Sequence, residues 1–353
     1  MAITDSRAEQ PAPDLSPVQA QPVVGLPMPG DKAVALDPAL RPAVRHPDHQ
    51  RRFPFPIPNG WFIVAQAGEL APGEIRRVHY FGRELVLYRT EAGEARLVNA
   101  YCAHLGANLA VGGRVEGEGI RCPFHGWCYD GTTGRCTDIP YTESENIPTQ
   151  AKIRAYPVLE RNHLVWAWHH LEGKEPFYDV PEVAEFNDPE WSDPSCRDFV
   201  IATCCQEMAE NNHDFAHFKF VHGSDDIPWD TQQFVTDDPY KRAEAPSGFV
   251  RETYGLGLGV LRMPGIFTFI SSTTPIDEEH VHVRWTFVTP RSAGDDAAQT
   301  LGDMFLTGVS QDIPIWENKA YVERPVLAKE ETGILAHRKW SEQFYSDPAN
   351  AIA

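Results

Sequence analysis

The sequence predicts an α+β protein in which a small antiparallel β domain is followed by an antiparallel sheet with helices. Three observations carry this prediction. The 353 residues allow about two domains. Residues 61–171 read as short β-branched and aromatic runs that are split by turn residues, with no helix-length periodic stretch among them. After residue 191, strand-like runs are flanked by helical stretches, which is typical of an α+β unit.

The composition excludes several classes of protein. There are 31 basic and 50 acidic residues, and the resulting net charge of −19 disfavours a nucleic-acid partner. No apolar run reaches the roughly 18–20 residues that cross a bilayer. The first residues, MAITDSRAEQ, lack a targeting pattern. Seven cysteines, an odd number, argue against a secreted disulfide framework and for metal binding in a reducing cytoplasm.

The first segment, residues 1–58, holds 12 of the 30 prolines and ends in RRFPFPIP. Because proline fixes φ and removes a hydrogen-bond donor, we predict a tail that is largely disordered or wraps loosely. The alternative is an arm that packs on another subunit.

The predicted first domain covers residues 59–171. The runs WFIVAQ, RRVHYFG, ELVLYRT and ARLVNAY are its candidate strands, and LVWAWHH closes it.

The predicted second domain covers residues 172–353. It has candidate strands in RDFVIATCC, GFVRETYGLGLGVLRM, IFTFISSTTP and HVHVRWTFVTP. It has candidate helices in QEMAENNHDFAHF, from about Thr300 to Ala320, and in HRKWSEQFY.

A first metal-binding pattern lies in the β domain. Cys102-x-His104 is separated by 17 residues from Cys122-x-x-His125. Each loop thus offers one thiolate and one imidazole, which suits a two-iron cluster whose irons have different ligands. Imidazole in place of thiolate makes such a cluster less negative, so the expected potential lies in the range of about −150 to +300 mV. Structural zinc is the alternative, although zinc sites usually use CxxC and HxxxH pairs. The downstream Cys128 and Cys136 are predicted to be packed thiols.

A second pattern lies in the helical stretch, as Asp214-x-x-His217-x4-His222. Asp214 and His217 are three residues apart and are predicted to share a helix face. For His222 to reach the same ion, the helix must bulge or end between the two histidines. Two imidazoles and one carboxylate suit a mononuclear iron with open positions. Asp312 is the predicted carboxylate, and Asp303 and the glutamates of the C-terminal segment are weaker candidates.

A competing interpretation pairs His213 with His217, at the spacing of a zinc protease helix. That chemistry needs Glu after the first histidine, and HDFAH has Asp there.

Together the two patterns resemble the α subunit of a Rieske non-haem iron oxygenase. The C-terminal segments QDIPIWENKAYVERPVLAKEE and RKWSEQFY resemble the oxygenase component of 3-ketosteroid 9α-hydroxylase and the related cholesterol 7-desaturases. The resemblance runs from about Trp61 to Asp347. Ala107 and Pro123 occupy the positions of the disulfide found in high-potential Rieske proteins, so the resemblance is to the lower-potential branch.

The resemblance implies a helix-grip catalytic domain and a head-to-tail homotrimer. In such a trimer, His125 contacts Asp214 of the partner subunit, and Asp214 holds His217 within its own chain. Asp214 and the nearby Asn211 are therefore the predicted catalytic residues. The implied cofactors are a Rieske [2Fe–2S] cluster at Cys102, His104, Cys122 and His125, and Fe(II) at His217, His222 and Asp312.

The implied reaction uses O2 and two electrons to hydroxylate a C–H bond, and loss of a second hydrogen gives an alkene instead. The chain has no GxGxxG in a strand–helix context, so a separate ferredoxin and/or flavin reductase must deliver electrons from NAD(P)H. The expected substrate is an apolar polycycle, most simply a steroid. An aromatic-ring or demethylating oxygenase, a pure electron carrier and a binding protein on an inactive oxygenase fold are the alternatives.

Four residues are predicted to line the substrate pocket: Leu256, Gly257, Phe267 and Phe269. The run Tyr254–Val260 alternates glycine with other residues, so one face of a strand there would lack side chains. A packed helix or a flat ligand could lie over that face.

Overall fold

We describe a computed structural model of the chain that covers residues 52–143, 146–225, 227, 234–245 and 248–352. The predicted N-terminal tail up to residue 51 lies outside the described residues. Within the described part, no helix has both the length and the apolar character needed to cross a bilayer.

The first half of the described chain forms three antiparallel sheets. One has the order β1-β11-β10, the second β2-β3-β4-β9 and the third β5-β6-β7-β8. The strands are β1 Gly60–Gln66, β2 Ile75–Tyr80, β3 Arg83–Arg89, β4 Ala95–Asn99, β5 Arg114–Glu116, β6 Gly119–Arg121, β7 Cys128–Asp130, β8 Cys136–Asp138, β9 Ala155–Tyr156, β10 Val158–Arg161 and β11 Leu164–His169. The third sheet is small and carries the loop between β6 and β7, which contains the second Cys/His pair.

The second half forms a seven-stranded antiparallel sheet with the order β12-β18-β17-β16-β15-β14-β13. Its strands are β12 Ser195–Ile201, β13 Val235–Asp237, β14 Tyr240–Glu244, β15 Val250–Tyr254, β16 Leu258–Met263, β17 Phe267–Pro275 and β18 Val281–Val288. The helices are α1 Cys205–Glu210, α2 Ala216–Phe220, α3 Ala297–Val309, α4 Ile313–Asn318 and α5 Thr332–Ser341. Single 3₁₀ turns occur at Ala67–Glu69, Ala184–Phe186, Asn211–His213, Arg291–Ala293, Glu342–Phe344 and Pro348–Asn350. The predicted α+β class is confirmed.

The longest helix, α3, lies across the sheet next to β12 and β18. Its Gly302 faces the ring of Phe287, and a Cβ there would come within 3.3 Å of that ring. A glycine at this point therefore lets α3 approach the sheet closely, which leaves the cavity described below between the sheet, α3 and the segment around α2.

Strands of both halves share one hydrophobic core. Phe62 of β1 and Leu85 of β3 lie in the same buried cluster as Ile201 and Val283 of the seven-stranded sheet. The Thr274 hydroxyl donates to the Ile63 carbonyl at 2.7 Å, which ties the two halves together. The two halves therefore pack as one body, and the boundary near residue 171 stays a prediction.

The end of the predicted tail, residues 52–58, is packed on the chain's own second half. Phe53 is fully buried. The Arg52 guanidinium donates to the carbonyls of Ala202, at 2.6 Å, and Lys319, at 2.9 Å, and also to that of Trp316. Residues 52–58 are therefore packed and not disordered, because Phe53 and the buried Arg52 anchor them.

Two predicted elements are interrupted. The helix predicted over QEMAENNHDFAHF ends at Glu210, passes through one 3₁₀ turn and resumes at Ala216. The strand predicted through Tyr254–Val260 breaks after Tyr254, and Gly255, with φ of 61°, lies in the turn before β16. In both places the chain turns at the edge of the cavity.

Candidate metal centres and substrate cavity

The two loops of the first pattern have the same local construction. The Cys102 N–H donates to the Ala107 carbonyl at 2.9 Å, and the Cys122 N–H donates to the Trp127 carbonyl at 2.8 Å. Each loop then turns at a glycine with positive φ, Gly106 at 73° and Gly126 at 74°. These bonds hold one cysteine at the base of each loop and one histidine nearer its tip.

The two cysteines and the two histidines of the first pattern differ in their solvent exposure. Cys102 and Cys122 are 4% and 2% exposed, whereas His104 and His125 are only partly buried. The two imidazole rings lie 4.7 Å apart, centre to centre. Burial, together with the nearby Cys102 sulfur, raises the pKa of the Cys122 thiol. The sequence-predicted quartet is thus brought together, with sulfur inside and nitrogen outside.

The quartet fits a [2Fe–2S] cluster on an observation independent of the pattern. His104 Nδ1 is buried and has no hydrogen-bond partner among the described residues. A buried polar atom without a partner is costly unless something else, such as a metal ion, takes its lone pair. Two inner sulfurs and two outer nitrogens match a cluster whose two irons have different ligands.

Sequence reasoning missed Tyr129. Its hydroxyl lies 3.1 Å from Cys102 Sγ and accepts from the Ala103 N–H at 3.1 Å. With Cys102 as a thiolate, the hydroxyl donates to the sulfur. Tyr129 lies on β7, directly after the buried Cys128, and no motif predicts its role.

The second pattern is also brought together. One ligand atom from each of His217, His222 and Asp312 lies within 4.8 Å of the other two. His217 is on α2, His222 follows the end of that helix, and Asp312 directly precedes α4. Two imidazoles and one carboxylate are the donor set that a mononuclear non-haem iron uses. The residues present therefore fit the predicted ion.

Both imidazoles are oriented through Nδ1. His217 Nδ1 contacts the backbone carbonyl of Asp214, and His222 Nδ1 lies 2.9 Å from the Gln311 side-chain oxygen. Nδ1–H donating to these oxygens leaves each Nε2 free to bind an ion. His222 Nε2 is 3.3 Å from the Asp312 carboxylate. Gln311 is a second residue that sequence reasoning missed, although it is adjacent to the predicted Asp312.

The Asp312 carboxyl is buried, and this burial raises its pKa despite the opposing effect of His222 and His217. A cation bound at the site would offset the cost of burying this carboxylate.

The competing ligand candidates lie elsewhere. Asp303 pairs with Arg197 at 2.7 Å on the surface. His213 stacks on His337, with ring centres 4.5 Å apart, and burial lowers the pKa of His213 to about 2. The structure therefore does not bring His213 into the group of His217, His222 and Asp312.

The two predicted catalytic residues have different positions. The Asn211 amide nitrogen lies 3.4 Å from His217 Nε2. Asp214 precedes α2 instead of sharing its face with His217, which corrects the helical-spacing prediction. Its carboxylate accepts from the His217 backbone N–H, at 3.4 Å, and makes no hydrogen bond with the His217 ring within the described part of the chain. The backbone of Asp214 is not helical, with φ of −93° and ψ of 89°, so the helical spacing between Asp214 and His217 is lost.

A cavity of about 420 Å³ opens next to the second group. Its wall includes the His217 and His222 rings and Asp312, and its floor is the sheet. Most other lining side chains are apolar, among them Leu258, Leu261, Trp285, Met304, Phe305 and Val309. Its size and apolar lining are typical of a site that encloses a small apolar ligand.

Three of the four predicted pocket residues, Leu256, Gly257 and Phe269, line this cavity, and Phe267 does not. Phe267 packs in the adjacent hydrophobic cluster, 6.3 Å from Phe269 between ring centres.

Gly257 and Gly259, which both line the cavity, have different surroundings. A Cβ on Gly257 would fall 2.4 Å from the Phe62 ring, so that close approach is made by the protein itself. A Cβ on Gly259 would meet nothing nearer than 3.7 Å, so Gly259 is the glycine that leaves the cavity floor open.

Sequence comparison assigns both halves of the chain. Residues 167–345 match the family described as the 3-Ketosteroid 9alpha-hydroxylase C-terminal domain, and residues 60–157 match the Rieske [2Fe-2S] domain. A cholesterol 7-desaturase of Caenorhabditis elegans is 31% identical over 82% of this chain and 77% of its own length. The oxygenase component of a 3-ketosteroid-9-alpha-monooxygenase of Rhodococcus rhodochrous is 29% identical over 82% of this chain and 81% of its own.

Solved structures give the same fold. The NdmA protein of Pseudomonas putida CBB5 aligns with a TM-score of 0.66 and 20% identity, over 80% of this chain and 88% of its own. Apo dicamba monooxygenase aligns with a TM-score of 0.61 and 18% identity, over 82% and 97%. The chain belongs to the Rieske oxygenases with a C-terminal domain of the 3-ketosteroid 9α-hydroxylase type, which are oxidoreductases that use a [2Fe–2S] cluster and a mononuclear iron.

Proposed function

We propose that this protein is the oxygenase component of a system that hydroxylates a steroid. The observation that carries the proposal is the cavity whose wall contains His217, His222 and Asp312 and whose remaining lining is mainly apolar. The relatives named above, which act on cholesterol and on 3-ketosteroids, support a steroid as the occupant.

In this proposal Cys102, His104, Cys122 and His125 hold the Rieske cluster, and His217, His222 and Asp312 hold the iron. When bound, these groups supply electrons one at a time and activate O2 beside the substrate. The backbone carbonyl of Asp214 and the side chain of Gln311 fix the two imidazoles through Nδ1. The Asn211 side chain lies next to His217 Nε2, at the edge of the proposed iron site.

The chain's own contribution to the reaction is positioning and exclusion of water. Leu258, Leu261 and Phe305 line the cavity with apolar surface, which favours a rigid polycycle over water. Holding one C–H bond near the metal ligands decides which carbon reacts, because orientation alone is worth orders of magnitude in rate.

Desaturation is the second candidate outcome. The cholesterol 7-desaturases of Caenorhabditis elegans and Xenopus laevis are 31% and 30% identical to this chain, slightly above the 3-ketosteroid relative. Hydroxylation and desaturation both begin with removal of hydrogen from a C–H bond, so the same ligand set serves both.

We further propose that a separate ferredoxin and/or flavin reductase supplies the electrons and that the chain acts as a homotrimer. The Rhodococcus relative is the oxygenase component of its monooxygenase, which supports the first point. The exposed side chains of Leu105 and Phe124 beside the cluster histidines support a contact with another protein there. None of the seven cysteines is joined in a disulfide, which supports a reducing, cytoplasmic location.

The test is the mass of the product. The protein is reconstituted with iron, a surrogate ferredoxin and reductase, and NADH, and is then given a panel of 3-ketosteroids and 3-hydroxysterols under O2. A gain of about 16 mass units identifies a hydroxylase, and a loss of about 2 identifies a desaturase.

Two results would contradict the proposal. Turnover of aromatic or N-methylated compounds with no turnover of steroids would overturn the substrate class. An iron content of about two per chain in place of three would instead support a pure electron carrier.

A further inference from the structure

One arginine faces the cavity. Arg251 on β15 pairs in register with Leu261 on β16, and Leu261 pairs with Phe269 on β17. All three residues line the cavity, so they form one row across its floor. A guanidinium group therefore lies in a wall that is otherwise largely apolar.

The charge of Arg251 has no acidic partner within the described part of the chain. Its Nη1 donates to the Asn212 carbonyl over 3.4 Å, and its Nε is buried without a partner. The neighbouring Glu252 is engaged elsewhere, with Arg262 and with the Tyr240 hydroxyl. Burial lowers the pKa of Arg251 to about 10, so the group stays cationic at neutral pH.

The surroundings add positive charge. Lys241 on β14 is buried, and within the described residues it too lacks a carboxylate partner. Its ammonium donates to His337 Nδ1 at 3.3 Å and lies 4.1 Å from the centre of the Trp340 ring. The charges of Lys241 and Arg251 both contribute to the low pKa of His213. This end of the sheet thus holds two cations that have no carboxylate partner among the described residues.

We propose that Arg251 binds a carboxylate carried by the substrate, and that the preferred substrate is therefore a steroid with an acidic side chain. This inference rests on the proposed function and adds a specificity determinant to it. Arginine offers a planar fork of donors that matches a carboxylate with two parallel hydrogen bonds. Such a ligand would pair the partly buried cation, whereas a plain hydroxyl would leave its charge uncompensated.

The test compares two ligands that differ in one charge. They are a 3-keto-4-ene steroid whose C17 side chain ends in a carboxylic acid, and the methyl ester of the same compound. Binding to the iron-loaded protein is measured without O2 by quenching of tryptophan fluorescence, since Trp285 lines the cavity. We expect the wild type to bind the acid at least about tenfold more tightly than the ester.

Three variants test whether Arg251 causes the preference for the acid over the ester. Arg251→Met should bind the acid and the ester equally, and Arg251→Lys should keep part of the preference because it keeps the charge but loses the fork. Arg242→Met is the matched control, because Arg242 lies on the adjacent β14, is partly exposed, pairs with Glu244 and does not line the cavity. It should keep the full preference.

The outcomes separate the inference from the proposed function. Equal binding of acid and ester by the wild type, or a preference that survives Arg251→Met, would overturn the role of Arg251 while steroid turnover stands. If neither compound binds and no steroid yields product, the proposed function fails as well. The wild-type comparison needs no variant, so it decides even if Arg251→Met does not fold.

Discussion

The imidazole of His217 is held by the backbone of Asp214 and not by its carboxylate. Nδ1 contacts the Asp214 carbonyl oxygen, while the carboxylate accepts from the His217 backbone N–H at 3.4 Å. The orientation of this proposed iron ligand therefore does not depend on the Asp214 side chain. That leaves the carboxylate available for another role, such as the contact with the partner subunit that the family resemblance implies.

Asp214→Ala should consequently keep its iron and lose its turnover. The carbonyl that fixes His217 remains, so we expect an unchanged iron content and at least about a 10- to 100-fold lower rate. Metal analysis and oxygen consumption measure the two quantities. Asp225→Ala, which removes an exposed acid from the same segment, is the control. Loss of iron from Asp214→Ala, or turnover at the wild-type rate, would show that this division of roles is incorrect.

Tyr129 should raise the reduction potential of the cluster. Its hydroxyl can donate to Cys102 Sγ, 3.1 Å away, and a hydrogen bond to the sulfur stabilises the more negative reduced state. Tyr129→Phe should therefore lower the midpoint potential in protein-film voltammetry. Tyr88→Phe is a matched control, because the Tyr88 hydroxyl donates instead to the Glu118 carbonyl at 3.0 Å. Identical midpoints for wild type and Tyr129→Phe would contradict this role.

The two cavity glycines should respond differently to a larger side chain. Gly259→Val adds a side chain at the cavity floor, where a Cβ makes only ordinary van der Waals contacts, so we expect weaker steroid binding with little change in stability. Gly257→Ala forces a Cβ against the Phe62 ring, which should cost about 1–3 kcal/mol of unfolding free energy. Fluorescence titration and urea denaturation separate the two effects. Strong steroid binding by Gly259→Val would mean that the ligand lies elsewhere.

Stability at alkaline pH should report the burial of Lys241. Burial lowers the pKa of Lys241 from 10.5 to about 8 in the folded state. Between these values the unfolded chain binds more protons, so the unfolding free energy rises with pH, by up to roughly 3 kcal/mol. Below pH 8 both states are protonated and the full penalty is present.

Lys241→Met removes this contribution, so urea denaturation of wild type and variant should diverge between pH 8 and 10.5. Buried tyrosines titrate in both proteins and cancel in the difference. A difference that stays constant over this range would contradict the assignment.

Much of the fold could be predicted because strand periodicity is a local property. The apolar runs around Trp61 and Val281 form the predicted strands β1 and β18, and nearly every residue in them is buried. Residues 52–58 and the Tyr254–Val260 run could not, since their conformations depend on distant partners. Arg52 is held by carbonyls of Ala202 and Lys319, and the backbone at Gly257 is packed against Phe62.

Some residues of the candidate site could likewise be predicted from local sequence, and others could not. Side chains within a short motif, such as Cys122 and His125, are visible in one stretch of sequence. Asp312 is far from the two histidines in the sequence, so it could be predicted only by assuming that the C-terminal part of the chain folds back onto the site. Tyr129 and Arg251 carry no motif, because what distinguishes them is a neighbour: a sulfur for one, and the lack of an acidic partner among the described residues for the other.

The most direct test of the account is the iron content of three proteins. The wild type should hold about three iron atoms per chain, two in the cluster and one at His217, His222 and Asp312. Asp312→Ala should hold about two and keep the visible spectrum of the cluster. Asp303→Ala, which removes an exposed acid paired with Arg197, should keep all three. Two irons in the wild type, or three in Asp312→Ala, would contradict the assignment of the second metal centre.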